Sequence, residues 1–304
     1  MISQPVREAL QKFVPTKNIF YKEPLSKHTT FRVGGEADCF IKIETERQLS
    51  ALLAYLKKVE LPYFVMGNGS NLLVSDRGYQ GIILQIGDCC NKIVVQGNRI
   101  HAQAGAYLSQ VARVACEHGL SGLEFAAGIP GTVGGGVVMN AGAYDGEMKQ
   151  VVEGVTVLDK EGNSLELDNA TMDFGYRTSA IKYQPFVVAE CCFKLERGDK
   201  EAIAAKIEEF QHKRKEKQPL EYPSAGSTFK RPEGYFAGKL IMDAGLAGAS
   251  IGGAQVSEKH CGFIINTGGA TAADIRQLIT YVQDEVKRHS HVYLEPEIIF
   301  LGEF

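Results

Sequence analysis

The stretch FAAGIPGTVGGGVVMNAGAY, Phe125–Tyr144, runs for twenty residues without a charge and contains six glycines and Pro130. About twenty apolar residues would span a bilayer. A helix through these would lose about 1 kcal/mol at each glycine and about 3 kcal/mol at the proline relative to alanine, so a membrane helix is disfavoured. Glycine instead permits positive φ and close approach of the main chain to a ligand, with N–H groups free to point outward. A glycine-rich turn between strands is the plainer alternative.

At 304 residues the chain exceeds one average domain, and two or three modules are expected. With 33 basic and 36 acidic residues the net charge is -3, which argues against a nucleic-acid partner. The opening MISQPVREALQKFV has no basic segment leading into an apolar one, and no other stretch survives as a span. The expectation is a cytoplasmic protein that meets small molecules and no membrane. The seven cysteines, at 39, 89, 90, 116, 191, 192 and 261, form no C-x-x-C pair and read as free thiols of a reducing compartment. No H-E-x-x-H or cysteine-histidine grouping is present, so no metal is expected.

Leu49, Leu52, Leu53 and Leu56 recur at helical spacing, and PYFVMG follows as a strand. GIILQIGDCCNKIVVQGNRIHAQAG predicts short strands joined by tight turns. YLSQVARVACEHGL predicts a helix ending at Gly119. A hairpin around Glu161-Gly162-Asn163 and a strand VVAECCFKLE come next. The long helix KEAIAAKIEEFQHKRKEKQ runs into Pro219, and a domain boundary is expected near it. The last third is loop-rich until a helix after Thr271 with Ile275, Leu278, Ile279, Val282 and Val286 on one face; HVYLEPEIIFLGEF closes the chain as a strand. The sum is α+β in about three modules.

Two nucleotide motifs fail on inspection. GNGSNLLV follows an apolar strand, but Leu72 stands where a third glycine belongs and no βαβ unit follows. GYFAGKLI places Leu240 where a P-loop needs Ser or Thr. Two separated segments are left, Gly67–Asn71 and Gly128–Gly136, each able to aim main-chain N–H groups at an anion. Together two such loops can enclose a pyrophosphate.

Six motifs in order, HTTFRVGGEAD, GNGSNLLV, EFAAGIPGTVGGGVVMNAGAY, FGYRTS, AGSTFKRP and LEPEI, closely resemble the UDP-N-acetylenolpyruvoylglucosamine reductase (MurB) family over residues 20 to 302. The resemblance implies an α+β chain with the two-part FAD-binding domain of the vanillyl-alcohol oxidase / PCMH type and a C-terminal α+β substrate-binding domain. Residues 1–85, with a returning strand 291–304, would form the first FAD-binding subdomain and 86–205 the second; 206–290 would bind a UDP-sugar. The resemblance also implies noncovalent FAD, NADPH as hydride donor and no obligate protein partner. The reaction would be reduction of UDP-N-acetylglucosamine enolpyruvate to UDP-N-acetylmuramate for peptidoglycan. FAD would be held by Arg32 and by Met66, Gly67, Asn68, Gly69, Ser70, Asn71 and Leu72. Ala127, Gly128, Ile129, Pro130, Gly131, Thr132, Gly134 and Gly135 would continue the cradle, with Asn140, Gly142 and Ala143. Glycine would be needed there because a Cβ holds the backbone off the cofactor.

Such a reaction adds hydride to the enolpyruvyl methylene carbon and drives an electron pair toward the adjoining carboxylate, where the charge has to be stabilised as it develops. Arg177 in FGYRTS matches the family's catalytic arginine and offers a planar fork to a carboxylate. Ser227 in AGSTFKRP matches its proton donor to the second carbon. Glu297 in LEPEI matches its catalytic glutamate, either protonated or, as preferred here, holding Arg177 or a proton relay. Period-two alternation puts Glu295 on the same face, so spacing does not choose between the two; the family motif chooses Glu297. Outside the motif set Ser227 would read as a turn residue and Arg177 as one member of a surface pair.

Lys213, Arg214, Lys217 and Arg231 are candidates for the substrate's diphosphate, with Lys217 and Arg231 preferred by the family pattern. The alternative for KRKEK is a solvated helix end whose cations suit the dipole. Tyr176, Gln255 and Asn266 complete the implied substrate contacts. Only 49 residues separate Arg177 from Ser227, which suits the shorter subclass lacking an inserted tyrosine lid. The rivals are a flavin oxidase or dehydrogenase of another small alcohol or acid, and a non-catalytic flavin or nucleotide-sugar sensor.

Overall fold

Leucine spacing sets the first long helix. In the computed structural model, which describes residues 2–304, Glu46–Lys58 is helical and buries Leu49, Leu52, Leu53 and Leu56, one stripe against a core. The Thr45 hydroxyl accepts from the Gln48 N–H and caps it. Tyr63–Met66 follows as a strand and pairs in parallel with Tyr79–Ile86, Tyr63 opposite Ile82. Five strands form an antiparallel sheet in the order Ser164–Asp168, Val152–Leu158, Val187–Lys194, Arg99–Gln103, Ile93–Gln96. Its outer hairpin turns where Asp159 Oδ1 accepts from the N–H groups of Glu161 and Asn163, the side-chain mimicry that favours Asp in turns. The helix Leu108–Glu117 stops before Gly119, whose φ is 61°.

Apart from Tyr79 and Gln80, these elements belong to one unit, made of the described residues up to Tyr21 with Cys39–Asn68 and Gly81–Arg214. Its apolar core runs from Leu10 through Leu53, Val111 and Val155 to Phe193. A second unit, Lys22–Asp38 with Gly69–Gln80 and Lys215–Phe304, has a separate core of Phe31, Leu73, Phe229, Ile241 and Ile264 around the helix Ala272–Ser290. That helix buries Ile275, Leu278, Ile279, Val282 and Val286. Thr271 and Asp274 close a capping box at its start, and Asp76 accepts from the N–H groups of Ala272 and Ala273. An antiparallel sheet of Ser250–Ile251, Ala254–Val256 and Ile264–Asn266 completes the unit, with Leu72–Val74 paired in parallel to Ile299–Leu301. The unit bound falls inside the helix Lys200–Lys217, after Arg214.

Two stretches differ from their sequence patterns. HVYLEPEIIFLGEF is regular strand only at Ile299–Leu301, with Pro296 in an isolated bridge to Phe229; proline has no N–H to continue a ladder. The glycine stretch contains a short helix, Val133–Val138, with Val133 and Val137 buried. Packing of those two valines outweighs the poor propensity of the three glycines between them. No helix among the described residues is long and apolar enough to cross a membrane.

Candidate active site

In the first unit, the glycine stretch is held to its own chain along one side. The Val133 N–H donates to the Ala106 carbonyl at 2.8 Å and the Gly134 N–H to the Ala104 carbonyl at 2.9 Å. A Cβ on Gly134 would lie 3.1 Å from Ala104 Cβ, and one on Gly136 would lie 3.0 Å from Leu108 Cδ1. Those two glycines are bare because the protein itself lies against them. Gly135 is different: it is exposed, and its Cβ would meet nothing nearer than Thr132 Oγ1 at 3.8 Å.

The first glycine loop meets the second here. A Cβ on Gly67 would overlap Thr132 Oγ1, and Asn68 Nδ2 donates to the Pro130 carbonyl at 2.8 Å. Met66 is buried at the strand end that leads into this contact, and Ala127 and Ile129 pack on the core. Arg214 lies over Gly128, its Cδ 3.0 Å from where a Cβ would be, and burial holds its guanidinium below the usual arginine range. Its neighbour Lys213 instead pairs with Glu209 one turn earlier. Tyr144 stacks on Phe210 of the same helix with ring centroids 4.5 Å apart.

Arg177 is the third residue of a tight turn in which Gly175 and Thr178 exchange main-chain hydrogen bonds, and its φ is 56°. A non-glycine residue in that region is uncommon and concentrates at functional sites. Arg177 Nη2 donates to the Gly142 carbonyl at 3.1 Å, next to Ala143 in a small hairpin. Asn140 is buried and holds the turn from beneath: its Nδ2 donates to the Gly175 carbonyl at 2.9 Å and to Glu147 Oε2 at 3.0 Å, and its Oδ1 accepts from the Lys149 N–H. The Tyr176 ring is half exposed, its centroid 5.2 Å from the Arg177 guanidinium carbon.

In the second unit, Ser227 and Glu297 lie on neighbouring segments. The Glu297 N–H donates to the Thr228 carbonyl at 2.8 Å, and the Lys230 N–H donates to the Glu295 carbonyl at 2.8 Å. Thr228 is fully buried; its N–H donates to the Gly262 carbonyl and its Oγ1 accepts from the Ile264 N–H at 3.0 Å. The two glutamates separate clearly. Glu295 is exposed and pairs with Lys230 Nζ at 2.5 Å, whereas Glu297 is half-buried. Asn71 Nδ2 donates to the Glu297 carbonyl at 3.2 Å, and Leu72 sits opposite Ile299. Gly69 has a φ of 61° and its carbonyl accepts from the Thr30 N–H; Ser70 is half-buried. Arg32 is exposed with a φ of 57°.

The implied substrate residues of this unit are of two kinds. Lys217 is exposed at the helix end. Arg231 places its guanidinium carbon 3.9 Å from the Phe236 ring centroid and donates from Nε to the Tyr235 carbonyl. Gln255 Nε2 donates to the Gly248 carbonyl at 3.3 Å. Asn266 is buried, with Nδ2 on the Phe31 carbonyl and Oδ1 accepting from Gly268 and Ala270; its amide serves the local backbone. Sequence reasoning missed Thr228, whose position beside Ser227 carries no periodic signal.

Two family descriptions match the chain: "FAD binding domain" over residues 37–168 and "UDP-N-acetylenolpyruvoylglucosamine reductase, C-terminal domain" over 218–301. The UDP-N-acetylenolpyruvoylglucosamine reductase of Caldanaerobacter subterraneus subsp. tengcongensis is 51% identical over 97% of this chain and 98% of that protein. Its counterpart in Clostridium botulinum is 50% identical over 96% of this chain and 95% of that protein. The crystal structure of the Thermus caldophilus reductase superposes with a TM-score of 0.82 at 36% identity, covering 92% of this chain and 98% of the other. The glucose dehydrogenase Phl p 4.0202 shares the fold alone, with a TM-score of 0.52 and 13% identity over 65% of this chain and 45% of that one.

Proposed function

The chain belongs to the UDP-N-acetylenolpyruvoylglucosamine reductase family and is an FAD-dependent oxidoreductase; from that premise we propose that it uses NADPH to reduce UDP-N-acetylglucosamine enolpyruvate to UDP-N-acetylmuramate. The residues present suit FAD. An exposed Gly135 whose Cβ would meet nothing nearer than Thr132 Oγ1 at 3.8 Å, beside a Gly67 that admits Thr132, makes a bare main-chain surface for a flat, anionic ligand. Residues 1–85 with 291–304, and 86–205, are assigned to FAD, and 206–290 to the UDP-sugar.

Bound FAD would take hydride from NADPH and supply it to the enolpyruvyl methylene carbon. Arg177 binds the substrate carboxylate with its fork and stabilises the charge that develops there. Ser227 donates its hydroxyl proton to the second carbon; a hydroxyl is a weak acid, but that carbon is strongly basic, so transfer runs downhill once aligned. Glu297 replenishes the proton through a relay. Lys217 and Arg231 neutralise the diphosphate, while Tyr176 and Gln255 line the sugar-nucleotide and Asn266, its amide spent on the main chain of Phe31, Gly268 and Ala270, holds its own loop in place.

What supports this reading most directly is the Glu297 N–H to Thr228 carbonyl bond, which sets Glu297 beside the residue that follows Ser227. An anaerobic visible spectrum tests it. The expected protein is yellow, bleaches with NADPH and regains colour only on adding the enolpyruvyl substrate; Ser227→Ala should bleach but not regain colour at the wild-type rate. A flavin that bleaches and never returns identifies another acceptor and sinks the proposal.

A further inference from the structure

Asn71 ends the loop Gly67–Asn71, and its polar groups are used inside the second unit. Its Nδ2 donates to the Glu297 carbonyl at 3.2 Å, and its own carbonyl accepts from the Ile299 N–H at 2.9 Å. The two bonds straddle Ile298, which is buried in the core. From the other side, the Glu297 N–H is taken by the Thr228 carbonyl. Glu297 is therefore gripped by both of its main-chain polar groups, and one grip is a side chain 226 residues away in sequence. Asn68, three residues earlier in the loop, spends its amide on the Pro130 carbonyl within the first unit.

We infer that Asn71 is a positioning residue for Glu297, its amide fixing the direction in which the Glu297 side chain leaves the main chain. The inference rests on the role proposed above for Glu297. A glutamate carboxylate lies roughly 4 Å from its Cα, so a peptide rotation of about 15° moves it by about 1 Å, a misplacement that can cost about 100-fold in rate. A side-chain amide is well suited to prevent that rotation: it makes a directional bond to a carbonyl that no regular strand partner covers, because the ladder begins only at Ile299. The loop's last residue then serves Glu297 through the main chain, whichever of its other residues touch FAD.

Asn71→Ala and Asn71→Asp holoenzymes, compared with wild type and Glu297→Gln by anaerobic stopped flow, test this. Asn71→Asp is nearly isosteric but turns an acceptor toward the Glu297 carbonyl, and it covers the case in which Asn71→Ala does not fold. At saturating FAD, flavin reduction by NADPH in the same variants serves as the internal reference, so that any effect of Asn71 on FAD binding is separated from the enolpyruvyl half-reaction. Reoxidation by the enolpyruvyl substrate should slow by about tenfold or more. The double variant Asn71→Ala/Glu297→Gln should reoxidise no more slowly than Glu297→Gln alone, because the amide then has nothing left to position. Equal slowing of both half-reactions, or additive effects in the double variant, would overturn the inference. A Glu297→Gln enzyme that reoxidises at the wild-type rate would instead remove the role proposed for Glu297, and this inference with it.

Discussion

Thr228 joins the segment of Ser227 to Glu297 through a 2.8 Å main-chain bond, and Thr228 is itself anchored by a hydroxyl that accepts from the Ile264 N–H at 3.0 Å. Thr228→Val keeps the shape and strands that N–H in a buried site. The expected cost is about 1–3 kcal/mol, seen as a lower urea midpoint with an unchanged slope. Thr228→Ser keeps the acceptor and should lose less. Equal stability of the valine variant and wild type would show that the hydroxyl anchors nothing.

Gly134 and Gly135 should respond oppositely to valine. At Gly134 the new side chain meets Ala104 Cβ at 3.1 Å and Ala104 O at 3.3 Å, so overpacking should cost about 1–3 kcal/mol of stability. At Gly135 a Cβ would meet only Thr132 Oγ1, at an ordinary 3.8 Å, and the same substitution should leave the melting temperature of the flavin-free protein near wild type while lowering the flavin-to-protein absorbance ratio. Full flavin occupancy in Gly135→Val would end the argument for close approach at that residue.

What was legible in the sequence was local. Leu49 to Leu56 announce their helix because burial repeats every three to four residues, and Glu161-Gly162-Asn163 announce their hairpin because a turn is closed within four residues, here with Asp159 Oδ1 accepting from Glu161 and Asn163. The FAD-type fold and the family followed from motifs that are read along the chain. The distinction between Gly134 and Gly135 was not legible, since it depends on Ala104 thirty residues earlier. Nor was that between Glu295 and Glu297: alternation treats them alike, but Pro296 interrupts the strand, and Lys230 pairs with Glu295 across it. Asn140 and Asn71 read as ligands of a cofactor by motif, yet the amide of each is bonded to the main chain near a reacting candidate.

The cations at the end of the long helix should divide. Lys213 is paired with Glu209 on the helix surface, an arrangement that contributes little; Lys213→Ala should leave the KM for the UDP-sugar within about twofold of wild type. Lys217→Ala and Arg231→Ala each remove a proposed diphosphate contact and should raise that KM about tenfold with kcat less affected, the pattern of lost uniform binding. Raised ionic strength should shrink the difference between these variants and wild type. A large KM change in Lys213→Ala, with none in Lys217→Ala, would reverse the assignment.

Acid should weaken the first unit in part through Glu153. Hydrogen bonds from Arg99, at 2.5 and 2.7 Å, hold the Glu153 carboxyl at about 2, against 4.5 for the ordinary group; Lys194 acts in the same direction, and the Cys192 thiol donates to the carboxylate at 3.6 Å. The folded state therefore binds this proton less readily than the unfolded state, so the stabilising contribution is complete above the unfolded value and is lost as pH falls from about 4.5 towards 2. Other carboxyls titrate in the same window, so the informative quantity is the difference in denaturation midpoint between wild type and Glu153→Gln. That difference should be constant above about pH 5 and shrink steadily below it. It should also narrow in high salt, because the pair is partly solvent-exposed. A difference independent of pH would mean that the Arg99 bonds do not depend on the Glu153 charge, and that glutamine holds the strands as well as the carboxylate does.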